Sequence, residues 1–392
     1  MAKLGELGKI ITGNTPKTSD VRNYESNDIC FVKPSDFTDN EITEIHQSKF
    51  YISEYAKNKA RVLPADSILV TCIGIIGKVA INKISCAVNQ QINAIVPDKK
   101  ICDSKYVAYA IQNAQPKIQI IANAAVVPIL NKTQFSNIEV QLPQLEEQRQ
   151  IANRLGRVDK LIFLRKQQLT KLDELVKARF VEMFGEPIGN PMKWPVKHLV
   201  EISQLITNGN TPKGGSENYV ETGIAFLRSQ NVWRNRVDLS DVVYIDEDTH
   251  RAMKKSSVCH NDIFITKTGR INTENSSLGR AALFQGKDNI ANITGHVYLV
   301  RLKESVNPRF VVTILTGEAY RKYIRKVCVG GIDKRQINLE QVEKFPIIMP
   351  PLLMQNDFSA FVEEVDKQKQ TVQQSLDKLE LLKKALMQEY FG

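Results

Sequence analysis

The apolar residues switch twice from a strand-like to a helical period, each time just after a proline. Across residues 1–143, short apolar runs at 67–71, 79–82 and 138–142 are separated by Gly, Pro, Asn and Asp, which predicts strands and turns. After Pro143 the turn residues nearly vanish. Ile151, Leu155, Val158, Ile162, Leu169, Leu172, Val176 and Met183 then follow at alternating four- and three-residue steps, interrupted at Arg165 and Arg179. Residues 186–349 return to strands and turns. After Pro350-Pro351 the helical spacing resumes through Phe358, Val362, Val365, Val372, Leu376, Leu379, Leu386 and Tyr390, interrupted at Lys369 and Lys383. Such spacing is the seam of a coiled coil.

Four segments follow: globular domains at 1–143 and 186–349, and helices at 144–185 and 350–392. A continuous helix over 144–184 spans about 60 Å at ~1.5 Å per residue. That is too long to lie on one small domain, and the chain supplies a partner of similar length at 351–391. An antiparallel pairing predicts one globular domain at either end of a rod. The expected class is α+β: two mixed α/β domains separated by two long antiparallel coiled-coil helices, with an internal pseudo-twofold repeat.

The local sequence repeats along with the pattern. Ile10-Ile11-Thr12-Gly13-Asn14-Thr15-Pro16-Lys17 returns as Ile206-Thr207-Asn208-Gly209-Asn210-Thr211-Pro212-Lys213. Residues 29–33 return at 224–228, and residues 66–74 at 261–269. Glu182-Met183-Phe184-Gly185 returns as Glu389-Tyr390-Phe391-Gly392. The order is preserved throughout, which argues against a single enzyme domain with an incidental motif.

Charge sharpens the division. The chain carries a net +10, which favours an anionic partner: nucleic acid, an acidic protein or an anionic membrane surface. The globular segments carry net +3 (1–143) and +6 (186–349), while the helices carry +3 (144–185) and −2 (350–392), opposite signs that favour their pairing. Six scattered cysteines without a C-x-x-C pair argue against zinc or a disulfide framework, and fit a reducing cytoplasm. The N-terminus has no signal-peptide apolar stretch, and no run reaches the ~20 apolar residues of a membrane span.

Catalytic constellations are not apparent. Gly74-Ile75-Ile76-Gly77-Lys78-Val79 lacks the spacing and the Ser/Thr of a phosphate-binding loop. Asn190-Pro191-Met192 lacks the second proline and the aromatic of an amino-methyltransferase motif. Pro97-Asp98 with Asp103-Ser104-Lys105 is too compact for a metal-dependent nuclease. The five histidines have no clustered carboxylate or cysteine partners. No metal site and no catalytic residue is assigned, and a binding subunit is expected.

Lys and Arg supply affinity for phosphates, and side chains reaching base edges supply sequence readout. Three recurring loop sets are candidates. The first is the turn with Thr15 and Lys17, repeated with Thr211 and Lys213. The second is Lys33, repeated as Arg228 with Gln230 and Asn231, the side-chain types that bond guanine and adenine bidentately. The third is Thr71, whose counterpart region carries Lys267, Thr268 and Arg270. A basic loop with Lys334 and Arg335 adds to it, matched in the first half by Asn131 and Lys132.

At these residues the chain resembles a known family. The segment Val140-Gln141-Leu142-Pro143-Gln144-Leu145-Glu146-Glu147-Gln148-Arg149-Gln150-Ile151 and the two Gly-x-Thr-Pro turns are similar to those of specificity subunits of type I restriction-modification systems. The resemblance covers essentially the whole chain. The second helix departs from it, with Met354-Gln355-Asn356-Asp357 in place of the Glu-Gln-Arg lead. The resemblance implies two target-recognition domains, each reading half of a split double-stranded DNA site, with spacer helices setting the gap. It also implies two methyltransferase subunits as partners, and restriction subunits in the full complex. S-adenosylmethionine, ATP and Mg²⁺ are then expected on those partners and no cofactor on this chain. The competing reading is a two-headed coiled-coil adaptor that binds DNA backbone or acidic proteins without sequence readout.

Overall fold

The structure, a computed structural model, describes residues 1–39, 41–122, 128–212, 214–273 and 275–392. It divides into two compact units: Met1–Gln168 with Val372–Gly392, and Leu169–Thr371. The division cuts through both long helices, Leu145–Phe184 and Leu352–Phe391. Each unit therefore holds one strand-rich segment and part of each helix.

In the first unit a five-stranded sheet runs in the order Gly8–Thr12, Ile92–Pro97, Ile68–Thr71, Val79–Asn82, Thr43–Ile45. Strand Ile68–Thr71 is buried at every position, as its Ile-Leu-Val run requires. A smaller sheet pairs Ile29–Val32 in parallel with Cys86–Val88. Helix Ser104–Asn113 packs on the main sheet, capped by Asp103, whose carboxylate accepts from the Lys105 and Tyr106 amides.

The second unit repeats this plan by itself. Its main sheet runs Ser203–Asn208, Val297–Leu302, Ile263–Thr266, Ala281–Leu283, and a smaller one pairs Ile224–Leu227 in parallel with Ala291–Ile293. Helix Pro308–Thr316 is capped by Asn307, which accepts from the Arg309 and Phe310 amides. Among the described residues, a buried carboxylate–guanidinium pair sets the second unit apart from the first. Asp262 is fully buried and bonds Arg301 through both oxygens, at 2.8 and 2.7 Å, while accepting from the Cys259 amide at 2.6 Å.

Within each unit the parts of the two long helices run antiparallel. In the first, Lys383 pairs with Asp159 at 2.7 Å and the Arg165 guanidinium donates to Ser375 at 3.2 Å. In the second, Lys369 pairs with Asp173 at 2.6 Å. These are three of the four positions that interrupt the apolar seam. The fourth, Arg179, pairs with Glu182 on its own helix. The interruptions are thus polar ties rather than lapses in the pattern. Ile151, Leu155, Val158, Ile162 and Leu172 are buried on the first helix, and Phe358, Val362, Val365, Val372 and Leu376 on the second. Leu169, Val176, Met183, Leu379, Leu386 and Tyr390 are half-buried. Near the end of the first helix the buried face moves to Phe180 and Phe184, which the seam omitted. Their rings meet Phe358 and Phe310 at centroid distances of 4.9–5.8 Å.

The head of each long helix is fastened by a buried glutamine. Gln148 accepts from the Asp103 amide at 3.0 Å and donates to the carbonyls of Ile101 (3.1 Å) and Pro143 (2.8 Å). Gln355 accepts from the Asn307 amide at 3.0 Å and donates to the Pro350 carbonyl at 2.8 Å. Both are at most 1% exposed. The divergent head of the second helix therefore keeps the one residue that makes the fastening.

Two outcomes follow for stability. Gln148→Leu and Gln355→Leu keep the volume but leave buried backbone groups unbonded, so each should cost about 2–4 kcal/mol in urea denaturation of the full chain. A change within about 0.5 kcal/mol, typical of surface substitutions, contradicts the fastening role. Arg301→Met should cost about 3 kcal/mol at neutral pH, because it strands a buried carboxylate. Burial already holds Asp262 above the ordinary carboxyl range against the pull of Arg301, and removing Arg301 raises it further. A carboxyl raised in the folded state loses its stabilisation as pH rises through its folded pKa, so the deficit of the variant should shrink on acidification toward about pH 4.

Candidate nucleic-acid interface

The recurring turns lie where the chain passes one end of the sheets. A side-chain carbon at Gly13 would sit 2.1 Å from the Asn89 carbonyl oxygen, and one at Gly209 would sit 2.0 Å from that of Ile293. Only glycine permits this approach. The Gly13 amide bonds the Ile92 carbonyl at 2.9 Å, and the Gly209 amide bonds that of Val297 at 3.1 Å.

The same short connection gathers the other predicted loops. In the first unit the Asn89 amide bonds the Val32 carbonyl and the Gln91 carbonyl accepts from Cys72. In the second unit the Thr294 amide bonds the Leu227 carbonyl and the His296 carbonyl accepts from Lys267. Each unit thus brings its Thr-Pro turn, the residue after its parallel strand and the end of its central strand to one place. The hubs themselves, residues 89–91 and 294–296, are not among the residues that the sequence pattern singles out. Gln90 and His296 are exposed at their tips, and Gln90 is hydrogen-bonded by the Thr15 hydroxyl. Their signal was the same position in both halves, hidden because the side chains differ.

Several predicted contacts are corrected. Thr71 is fully buried, and its hydroxyl accepts from the Lys78 amide at 3.0 Å, closing a turn rather than facing a ligand. Asn231 is also buried. Its side chain accepts from the Arg228 amide at 2.9 Å and donates to the carbonyls of Asp238 and Asp241 at 2.9 and 3.0 Å, which leaves nothing for a base. Asn131 caps the short helix Lys132–Ser136 through the Gln134 amide at 2.9 Å. Arg228 and Gln230 both bond the acidic Asp241, Arg228 at 3.2 Å. Lys213 lies outside the described residues.

Other predicted residues are open. Lys17, Lys132, Thr211 and Lys334 are exposed. The Lys33 ammonium rests 3.6 Å from the centre of the Phe50 ring, a cation–π position that keeps its charge near the surface. Strands Thr268–Arg270, Lys334–Gln336 and Val329–Gly330 form a small antiparallel ribbon, with Arg270 opposite Lys334 and Gly269 opposite Arg335. Two segments 64 positions apart in the sequence (270 and 334) are thereby merged into one basic surface, and Lys267 precedes it directly. Arg270 also lies 3.5 Å from Asp333.

Helix Glu318–Val327 leads into this ribbon and adds cations that sequence reasoning missed. Lys322, Arg325 and Lys326 are exposed on it, while Tyr320 and Ile324 are buried. Their signal was the i, i+3, i+4 spacing of basic residues within 318–327. The first unit differs. Its matching helix, Gln115–Ala122, carries Lys117 and exposes Ile120. Near its Thr-Pro turn, Arg22 and Lys59 are bound to Asp20 at 2.8 and 3.1 Å. The Arg22 hydrogen bond, with help from Lys59, holds the Asp20 carboxyl well below its usual range. Among the described residues no cluster of three His, Cys, Asp or Glu is placed to hold a metal, and no helix is long and apolar enough to cross a membrane.

The family model described as type I restriction modification DNA specificity domain matches residues 1–174 and again residues 191–381. The type I restriction enzyme MjaIX specificity subunit of Methanocaldococcus jannaschii is 27% identical over 286 residues, covering 68% of this chain and 65% of that subunit, just under two thirds of its length. The StySPI specificity subunit of Salmonella potsdam is 19% identical over 96% of this chain and 84% of its own. Among solved structures, the S subunit of a type I restriction-modification system from M. genitalium shares the fold, with a TM-score of 0.61 at 13% identity, over 100% of this chain and 95% of that one. The chain belongs to the type I restriction-modification DNA specificity family and carries the family's domain twice.

Proposed function

We propose that this chain is the DNA-sequence specificity subunit of a type I restriction-modification complex, each unit reading one half of a bipartite site in double-stranded DNA. The observation that carries the reading is the gathering of three recurring loops at one sheet end in both units, with different side chains each time. A shared scaffold with divergent loops suits two different words of sequence. Phosphate contacts by Lys17, Lys132, Lys267, Arg270, Lys334 and Arg335 would position the duplex, and the exposed hub tips Gln90 and His296 would face the bases. The chain itself performs no chemistry in this reading. Two methyltransferase subunits dock on it and methylate adenine, holding S-adenosylmethionine, and restriction subunits bring ATP and Mg²⁺. The complex works in the cytoplasm. The alternative, an adaptor without sequence readout, accounts for the charge and the helices but not for the duplicated hub.

Selection from a random duplex pool by the complex reconstituted with its methyltransferase should enrich one split motif. Enrichment of no sequence contradicts the reading. Removing one heptad from each long helix should change the number of base pairs between the half-sites and leave both half-site sequences intact. An altered half-site with an unchanged gap contradicts the spacer role. Replacing Lys322, Arg325 and Lys326 by alanine should lower the slope of log affinity against log salt by about 2–3, near 0.9 for each phosphate no longer neutralised, without altering the motif.

A further inference from the structure

The second unit places an apolar side chain where solvent alone gives it no reason to be. Ile332 is 90% exposed, the most exposed of the large apolar side chains among the described residues. It occupies the turn between strands Val329–Gly330 and Lys334–Gln336. Gly330 takes a φ of +125°, and a side-chain carbon there would sit 2.9 Å from the Lys334 carbonyl oxygen, so the turn is tightly drawn and holds Ile332 at its tip.

The surroundings are cationic. Lys334 is exposed, and the Nε of Arg335 is buried without a hydrogen-bond partner. Arg270 lies on the adjoining strand, and the helix before the ribbon presents Lys322, Arg325 and Lys326. Asp333 beside Arg270 is the one acid on the turn. A protein-binding anchor is normally set among residues depleted in lysine, glutamate and aspartate. A basic collar instead meets phosphates, and the tip that projects beyond it reaches into a groove. The apolar surface available there belongs to the bases: a thymine C5-methyl, or a base face uncovered by partial unstacking.

We propose that Ile332 makes an apolar contact to a base of the recognised DNA, carried into the groove by the basic ribbon; this rests on the reading of the chain as a specificity subunit. The ribbon then divides its labour. The cations fix its position on the backbone, and Ile332 presents its apolar surface to the base.

The test uses the complex reconstituted from the full chain and its methyltransferase, on the best duplex from the random-pool selection. Ile332→Ser should weaken binding roughly tenfold, as expected when one aliphatic side chain no longer buries its surface, and Ile332→Met should stay near wild type. The salt slope should be unchanged, since no charge is removed. Two arms identify the base surface. Replacing one thymine by uracil should weaken the wild type but not Ile332→Ser if a methyl is met. A 2-aminopurine at one step should brighten with the wild type but not with Ile332→Ser if a face is uncovered. The inference is overturned if Ile332→Ser binds like wild type, if it weakens binding without either signature, or if it impairs only assembly with the methyltransferase. A wild-type complex that prefers no duplex overturns the specificity reading itself, and this inference with it.

Discussion

A buried glutamine at the head of each long helix is the constraint on which the rest of the structure depends. Gln148 and Gln355 reach from a long helix to the cap of the helix that lies on the main sheet. An amide side chain suits the task because it donates and accepts at once, so it joins a backbone N–H to backbone carbonyls, those of Ile101 and Pro143 in the first unit and of Pro350 in the second. Aligned this way, the long helix adds its apolar stripe to the core of the unit: Ile151 and Leu155 in the first, Phe358 and Val362 in the second. The sheet is covered, and its far loops are left free to vary. An apolar residue at either position would pack as well but would not fix where the helix starts.

That separation of scaffold from loops explains how one design serves twice. Backbone hydrogen bonds hold the hub loops, so the exposed side chains at their tips, Gln90 and His296, carry little of the fold. The units have used this freedom differently. In the first, several cations are already engaged: Arg22 and Lys59 by Asp20, and Lys33 by the Phe50 ring. In the second, a basic helix face and a basic ribbon lie next to each other. Asp241 draws Arg228 and Gln230 together there, which makes them part of a structured acidic–basic loop rather than two free readers.

Much of the fold was legible in the sequence, because periodicity and duplication are written in residue spacing. The seam residues from Ile151 to Val176 and from Phe358 to Leu379 are buried or half-buried, and the interrupting Arg165, Lys369 and Lys383 tie the helix pairs together. The site was only partly legible. Thr71 and Asn231 have the side chains of base readers, but position in the strand or loop buried them, and residue type does not reveal burial. Asn131 was spent as a helix cap. The ribbon joining Arg270 to Lys334 depends on a pairing between distant segments, which spacing along the chain does not encode. The hub residues escape for the opposite reason: they differ between the halves, and a repeat marks only what recurs.

The central claim is that one scaffold, used twice, reads two different words of DNA. Sequencing the adenine methylation of the host genome, with and without this gene, tests it most directly. The account predicts that one split motif, with unlike halves and a fixed gap, loses its methylation when the gene is removed. An unchanged methylation map, or the loss of a single undivided motif, would contradict it.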